Sequence, residues 1–275
     1  MKKVGEYTPG ISNDDYHNDT EFLSSSQLKK AIDSHSNFRY EMNKGHEPAK
    51  WSPDNAMDFG TYIHALLDKT ADVENEFAFI DMDGLNLRTK ADREYKAKFL
   101  DNAQGKIVLP AHDKLRAQQC IKSVNAHPFF KKMVDMEGIE EHSGYYIDDF
   151  NKLNLRFRPD KRVNSLIDGK PAIIDWKSIY NIDEFHKSAK WDRHYDLSAA
   201  MYLEGDKYIT GEDDVDFIFG VIESRPPFRV AVYKCSESFL QYGAKKLAKA
   251  KSNVKLAYKI ETPTIRFQET DYQEI

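Results

Sequence analysis

The stretch LNLRFRPDKRVNSLIDGKPAIIDWKSI, residues 153–179, decides how this chain folds. Apolar and polar residues alternate through LNLRFRPDKRV and again through PAIIDWKS, the period-2 pattern of β-strands. Asp168-Gly169 between them is a strong signal for a tight hairpin turn. Successive side chains of a strand face opposite ways, so Asp175 and Lys177 share one side and Ile174 and Trp176 point into a core on the other. Fourteen residues separate Asp160 from Asp175, which puts Asp160 on the neighbouring strand within reach of Asp175. Two carboxylates at one place repel each other and raise a pKa unless a cation neutralises them. A hard cation such as Mg²⁺ takes oxygen ligands at about 2.0–2.1 Å and keeps several waters. One of those waters can become a nucleophile, with Lys177 orienting it or stabilising a pentavalent phosphate. An exposed ion pair worth under about 1 kcal/mol accounts for the same residues, and the spacing alone leaves both readings open.

Working outward, GYYIDDF (144–150) is a further strand that meets LNLRFRPDKRV at Asp149–Lys152. DFIFGVIE (216–223) and RVAVYKC (229–235) read as strands after the hairpin. Helices are predicted at QLKKAIDS behind a serine N-cap, at Asp58–Asp68, around Lys90–Asn102 and within 111–135, the last ending near His127-Pro128 or just after it. Further helix signals lie at Ile182–Lys190, Leu197–Lys207 and Ser236–Tyr258. A short apolar strand is expected near Phe77–Ile80, a loop at 41–56, a polar tail at the end, and an extended or loosely ordered segment at 1–22. The pattern is α+β, a mixed and mostly antiparallel sheet flanked by helices. No linker composition is visible, so one domain over residues 1–275 is expected.

With 275 residues, 40% hydrophobic and 12% aromatic, the chain can bury a sizeable core. A net charge of -5 argues against a general nucleic-acid coat. It leaves room for a nuclease, whose active-site carboxylates add negative charge. Cys120 and Cys235 form no CxxC pair, which suits a reducing compartment and excludes a four-cysteine iron–sulfur cluster or zinc site. The first residues lack an apolar signal-peptide core, and no run of 18 apolar residues predicts a membrane span. A cytoplasmic protein without a membrane partner is expected.

RFRPDKRV…IIDWKS resembles the core of the PD-(D/E)XK nuclease superfamily, with its restriction-endonuclease-like fold. DFGTYIHALLD resembles the helix that supplies a histidine in the RecB-like branch. LSSSQLKKAIDS, Glu141 before the strands and Tyr195…Tyr202 after them extend the likeness to RecE-type exonucleases (exodeoxyribonuclease VIII), over roughly residues 15–260. The resemblance implies Mg²⁺-dependent, processive 5′→3′ digestion of one strand of double-stranded DNA from its ends, with Mn²⁺ able to replace Mg²⁺. It also implies a ring-shaped homo-oligomer and a single-strand annealing protein as partner in recombination, often encoded by a phage or prophage and acting in the bacterial host cytoplasm. By the same likeness, His64, Asp160 and Asp175 are metal ligands and Lys177 is the catalytic lysine. Glu141 matches an acidic family position, and Tyr202 the tyrosine of a glutamine–tyrosine motif. Ser198 stands where that motif often has glutamine, so Ser198 or Tyr195 is left to position DNA or water. A structure-specific endonuclease and a catalytically inactive DNA-binding module are the alternatives on the same fold.

Other residues carry two readings each. His64, read without the family helix, is a half-buried helix histidine, and Asp68 is either its partner or a solvated helix end. Arg156 and Arg158 suit phosphate contacts or a solvated strand face. Ser24, Ser25 and Ser26 suit an anion at a helix N-terminus or simple capping. Lys245, Lys246, Lys249, Lys251 and Lys255 form either a DNA-facing stripe or the wet face of an amphipathic helix. Trp176 and Trp191 are expected in the core, and both cysteines as small buried hydrophobes.

Overall fold

The computed structural model describes residues 2–43 and 55–259. Most of the expected loop at 41–56 and the polar tail lie outside these residues. Among the described residues ten strands form: β1 Tyr7–Thr8, β2 Phe77–Ile80, β3 Ile107–Pro110, β4 Ile139–Glu140, β5 Ser143–Asp148, β6 Leu153–Phe157, β7 Lys161–Ile167, β8 Lys170–Ile179, β9 Asp216–Glu223 and β10 Val230–Lys234. The main sheet has five strands in the order β10-β9-β8-β7-β4, a second has the order β1-β5-β6, and β2 and β3 form a parallel pair. Within the main sheet only β8 and β9 run parallel. The mixed, mostly antiparallel sheet flanked by helices is the architecture expected from the sequence.

The expected hairpin at Asp168-Gly169 joins β7 and β8, with both turn residues at positive φ. LNLRFRPDKRV, however, is not one strand. Proline has no N–H for a ladder, and the chain breaks at Arg158-Pro159-Asp160, so that β6 pairs with β5 in one sheet and β7 with β8 in another. Asp160 therefore stands at the junction of the two sheets. The register Lys161↔Ile174, carried back one residue, sets Asp160 opposite Asp175.

Strand β8 is buried on both faces, as a strand with a parallel neighbour usually is. Ala172, Ile174 and Trp176 pack with Phe59 and Ile63 of the helix Ala56–Leu67 and with Phe130 and Met133 of the helix Pro128–Asp135. Trp176 stacks on Phe130 with centroids 5.2 Å apart. Gly220 of β9 makes room, because a Cβ there would lie 2.4 Å from the Trp176 ring. On the other face Ile173 packs with Phe217, Phe219, Phe185 and Ala199. The helices Tyr195–Thr210 and Glu237–Lys259 contribute to this second layer.

Residues 1–22, expected to be extended or loosely ordered, contain β1 paired with β5 and the helix Asn13–His17, with Tyr16 and Phe22 buried. The helix expected to end near His127-Pro128 runs over His112–Ala126, and a second helix, Pro128–Asp135, follows with proline at its start. Trp191, expected in the core, is 54% exposed and lies edge-on to Tyr242. Trp176 and Cys120 are buried as expected, and Cys235 is partly buried. Among the described residues no helix is long and apolar enough to cross a membrane.

Candidate active site

An open cleft of about 1370 Å³ runs along the junction of the two sheets, with His64, Glu141, Asp160, Lys177, Tyr195 and Tyr202 in its wall. Each polar group has a local cause. His64 sits in the last turn of Ala56–Leu67, a helix begun by Asn55, whose side chain accepts the Met57 N–H. Asp160 is fixed by the break in the chain. Its carboxylate accepts the Trp176 backbone N–H, and its Oδ1 lies 3.3 Å from His64 Nδ1. Glu141 lies between β4 and β5 with φ of +51°, a left-handed conformation that side chains other than glycine rarely adopt. Its N–H donates to the Asp160 carbonyl at 3.3 Å.

His64, Glu141 and Asp160 each offer a ligand atom, and the three atoms lie within 4.8 Å of one another. Ligands about 2.1 Å from one hard cation are at most about 4.2 Å apart. Adjacent ligands of such an ion are about 3.0 Å apart, so the three side chains have to draw together to close around one. Asp175 is not in this trio. It is buried and forms an ion pair with Lys177, whose Nζ also donates to the Trp176 carbonyl at 3.0 Å. Lys177 Nζ lies 5.2 Å from the centroid of the Tyr195 ring, a cation–π distance.

The electrostatics are those of a site short of positive charge. Burial, reinforced by the Asp160 charge, pushes Glu141 up to about 8. Burial also raises Asp175, and Asp160 adds to it against the pull of Lys177. For Asp160 the effect of burial is outweighed by His64, Lys177 and the Trp176 N–H, which hold its carboxyl below the usual range. For His64 burial opposes the charged ring, but Asp160 prevails and raises it. Lys177 is held protonated by Asp175 and Asp160 in spite of burial.

The remaining expected site residues divide. Ser26 and Tyr195 line the cleft, and Tyr202 lines it with the Ser25 hydroxyl hydrogen-bonded to its phenol. Burial, then Tyr16, Asp175 and Asp160, keep the Tyr202 hydroxyl protonated. Ser198 is buried within its helix and is not among the residues lining the cleft. Arg156 is 1% exposed, with Nη1 donating to the Asp19 carbonyl at 2.9 Å. It anchors the N-terminal segment and has no surface for DNA. Arg158 reaches the cleft, but its nitrogens are spent on Ser143, Asn13 and Ile11. Asp68 accepts from Thr70 N and Oγ1 at 2.8 Å and thus caps a turn. In the lysine stripe, Lys251 is buried between Asp148 and Glu204, and Lys246 pairs with Asp196.

Sequence reasoning missed Lys29. Its Nζ lies 5.1 Å from the Tyr195 ring centroid. Burial, with the nearby Lys177 charge, lowers its pKa to about 8. Lys29 sits one helical turn after Ser25, and that spacing is the signal available for it.

Residues 24–273 match the family model described as a PDDEXK-like domain of unknown function (DUF3799). The chain belongs to that family. The site thus lies in a fold of the PD-(D/E)XK nuclease superfamily, whose members generally depend on a divalent metal. A crystal structure from Eubacterium rectale, named "Putative exonuclease", is similar with a TM-score of 0.55 at 14% identity, covering 95% of this chain and 98% of that one. At that identity the likeness is one of fold. No curated protein matches the sequence.

Proposed function

We propose that this protein is a divalent-metal-dependent exodeoxyribonuclease of the RecE type, degrading one strand of linear duplex DNA from its ends in the 5′→3′ sense. The observation that carries the reading is the His64–Glu141–Asp160 trio with Lys177 in the wall of one open cleft, Asp175 being paired to Lys177. Mg²⁺ suits this set of two carboxylates and one imidazole, with Mn²⁺ as a substitute. A cation held there supplies a water of lowered pKa and neutralises charge on a phosphodiester.

The side chains supply the rest. Asp160 is aimed by the Trp176 N–H, and Glu141 by a backbone turn tied to the Asp160 carbonyl. Lys177 stays charged and fixed by Asp175, the Trp176 carbonyl and the Tyr195 ring. Its ammonium stabilises charge that develops on the phosphate, where fixed donors in a partly dry site act most strongly. On this reading the partners are double-stranded DNA ends, a single-strand annealing protein, and further copies of the chain in a ring.

The test is digestion in Mg²⁺ of linear duplex carrying a 5′-phosphate, linear duplex carrying a 5′-hydroxyl, and covalently closed circular duplex. Loss of the linear substrates alone, dependent on Lys177 and faster with 5′-phosphate, is the expected result. Cutting of the circle would replace the exonuclease with an endonuclease on the same fold. Binding without hydrolysis in either Mg²⁺ or Mn²⁺ would leave a DNA-binding module.

A further inference from the structure

Tyr180 is 61% exposed, yet it is held in place. Its position follows from the main sheet. The parallel strands β8 and β9 end together, with Ile179 beside Glu223 in register and the Ser224 N–H donating to the Ile179 carbonyl at 2.8 Å. The residues that leave the two strands, Tyr180 and Arg225, therefore emerge side by side. The Arg225 guanidinium lies 3.5 Å from the Tyr180 ring centroid and also hydrogen-bonds its hydroxyl. Tyr180 lines the cleft, whereas Arg225 does not. The ring thus stands in the cleft wall with the arginine against one face.

Holding a large aromatic side chain still in water costs rotamer freedom and gains little from burial. A ring fixed in this way is prepared for a flat partner. Other exposed aromatic side chains, Phe150 at 85% and Trp191 at 54%, lie away from the cleft. Met57, at 81% exposure, is the other large apolar side chain left open in the cleft wall among the described residues. Its helix approaches the same end of β8, since a Cβ on Gly60 would sit 3.9 Å from the Ser178 Cβ. Tyr180 follows Lys177 by three residues, about 10 Å along an extended chain, a reach suited to a base next to a phosphate held at Lys177.

We propose that Tyr180, backed by Arg225, is a stacking platform for the nucleobase of a nucleotide adjacent to the phosphate at Lys177. The inference rests on the nuclease reading and adds to it a contact with the base. Stacking of this kind is tolerant of sequence because every base has a flat face. Stacking also gives the enzyme a grip on a frayed end, where the terminal base is free to leave its partner.

The experiment measures binding of linear duplexes in Ca²⁺, used in place of Mg²⁺ to prevent hydrolysis. Single abasic sites are placed in turn at the first four nucleotides of the 5′ strand. For the unaltered protein, one abasic position is expected to weaken binding about tenfold. Tyr180→Ala should bind the intact and abasic duplexes equally, and Tyr180→Phe should retain the sensitivity. Because Tyr180 is largely exposed, the thermal unfolding of Tyr180→Ala is expected to match that of the parent. If Tyr180→Ala shows the same abasic sensitivity as the parent, the platform is overturned while the nuclease reading stands. If the parent neither binds nor cuts linear duplex, the nuclease reading and the platform fall together.

Discussion

Two clusters of charge lie close in sequence around β7, and they behave in opposite ways. Arg162 is 4% exposed in its side chain, and all three guanidinium nitrogens have an acceptor: Asp206 Oδ1 at 2.6 Å, Asn164 Oδ1 at 2.9 Å and a Glu212 carboxylate oxygen. The Tyr7 hydroxyl joins this network through Asp206. Each guanidinium nitrogen has its acceptor, and none of these residues lines the cleft. Two residues earlier, Asp160 sits with Glu141, His64, Asp175 and Lys177, where carboxylates outnumber lysines and the cluster opens to a cleft. Buried charge is therefore not in itself the mark of a site. The mark is a group of carboxylates crowded together at a cleft, and a pKa such as that of Glu141 records the crowding.

The comparison breaks most sharply if the closed network turns out to be dispensable. Asp206→Ala should destabilise the fold by about 3–5 kcal/mol, because it strands part of a buried ion pair. Denaturant unfolding measures this, and turnover per folded molecule should be unchanged. Lys177→Ala should instead lower the rate of hydrolysis per folded molecule about 10²–10³-fold, as loss of one fixed donor does. Full activity in that variant would remove Lys177 from the site.

Metal sharpens the same contrast. At about 100 times its dissociation constant, Mg²⁺ should raise the unfolding free energy by about 2.7 kcal/mol. Glu141→Gln and Asp160→Asn should lose that response and Asp206→Ala should keep it. Equal stabilisation of Glu141→Gln would show that the ion binds elsewhere.

Lys29 gives the smallest effect. Its folded pKa, about 8, lies below the value of an unfolded lysine. Between those two values the unfolded chain binds more protons, so the contribution of Lys29 to stability rises with pH across that window. Below about pH 8 both states are charged and the folded state bears the whole penalty. Lys29→Met should therefore stabilise the fold at neutral pH by about 1–3 kcal/mol, with the gain fading toward pH 10. A gain that stays constant across that range would contradict the assignment.

Much of this was legible in the sequence. The alternation through IIDWKS fixes which side chains share a face of β8, and Asp168-Gly169 marks the hairpin, because both follow from local backbone geometry. The division of LNLRFRPDKRV was less visible. Pro159 marks the break, but which sheet each half joins depends on partners far along the chain. Arg156 reads as a phosphate contact because its strand alternates, and only the distant Asp19 and Tyr16 make it part of the core. The grouping of Glu141 with His64 and Asp160 rests on a left-handed turn that glutamate does not advertise. Lys29 was hidden among the lysines of LSSSQLKK, since its burial beside Lys177 and Tyr195 is a property of the fold.

The backbone at Glu141 has a consequence for which substitutions the site can accept. Aspartate and asparagine enter the left-handed region more readily than glutamate does, so local preference favours a shorter side chain at this position. A carboxylate one bond shorter would end farther from His64 and Asp160. Reach and backbone ease thus pull the choice of residue in opposite directions. An aspartate at 141 is expected to produce a firmer protein with a poorer catalyst, and selection for stability alone would drift toward it.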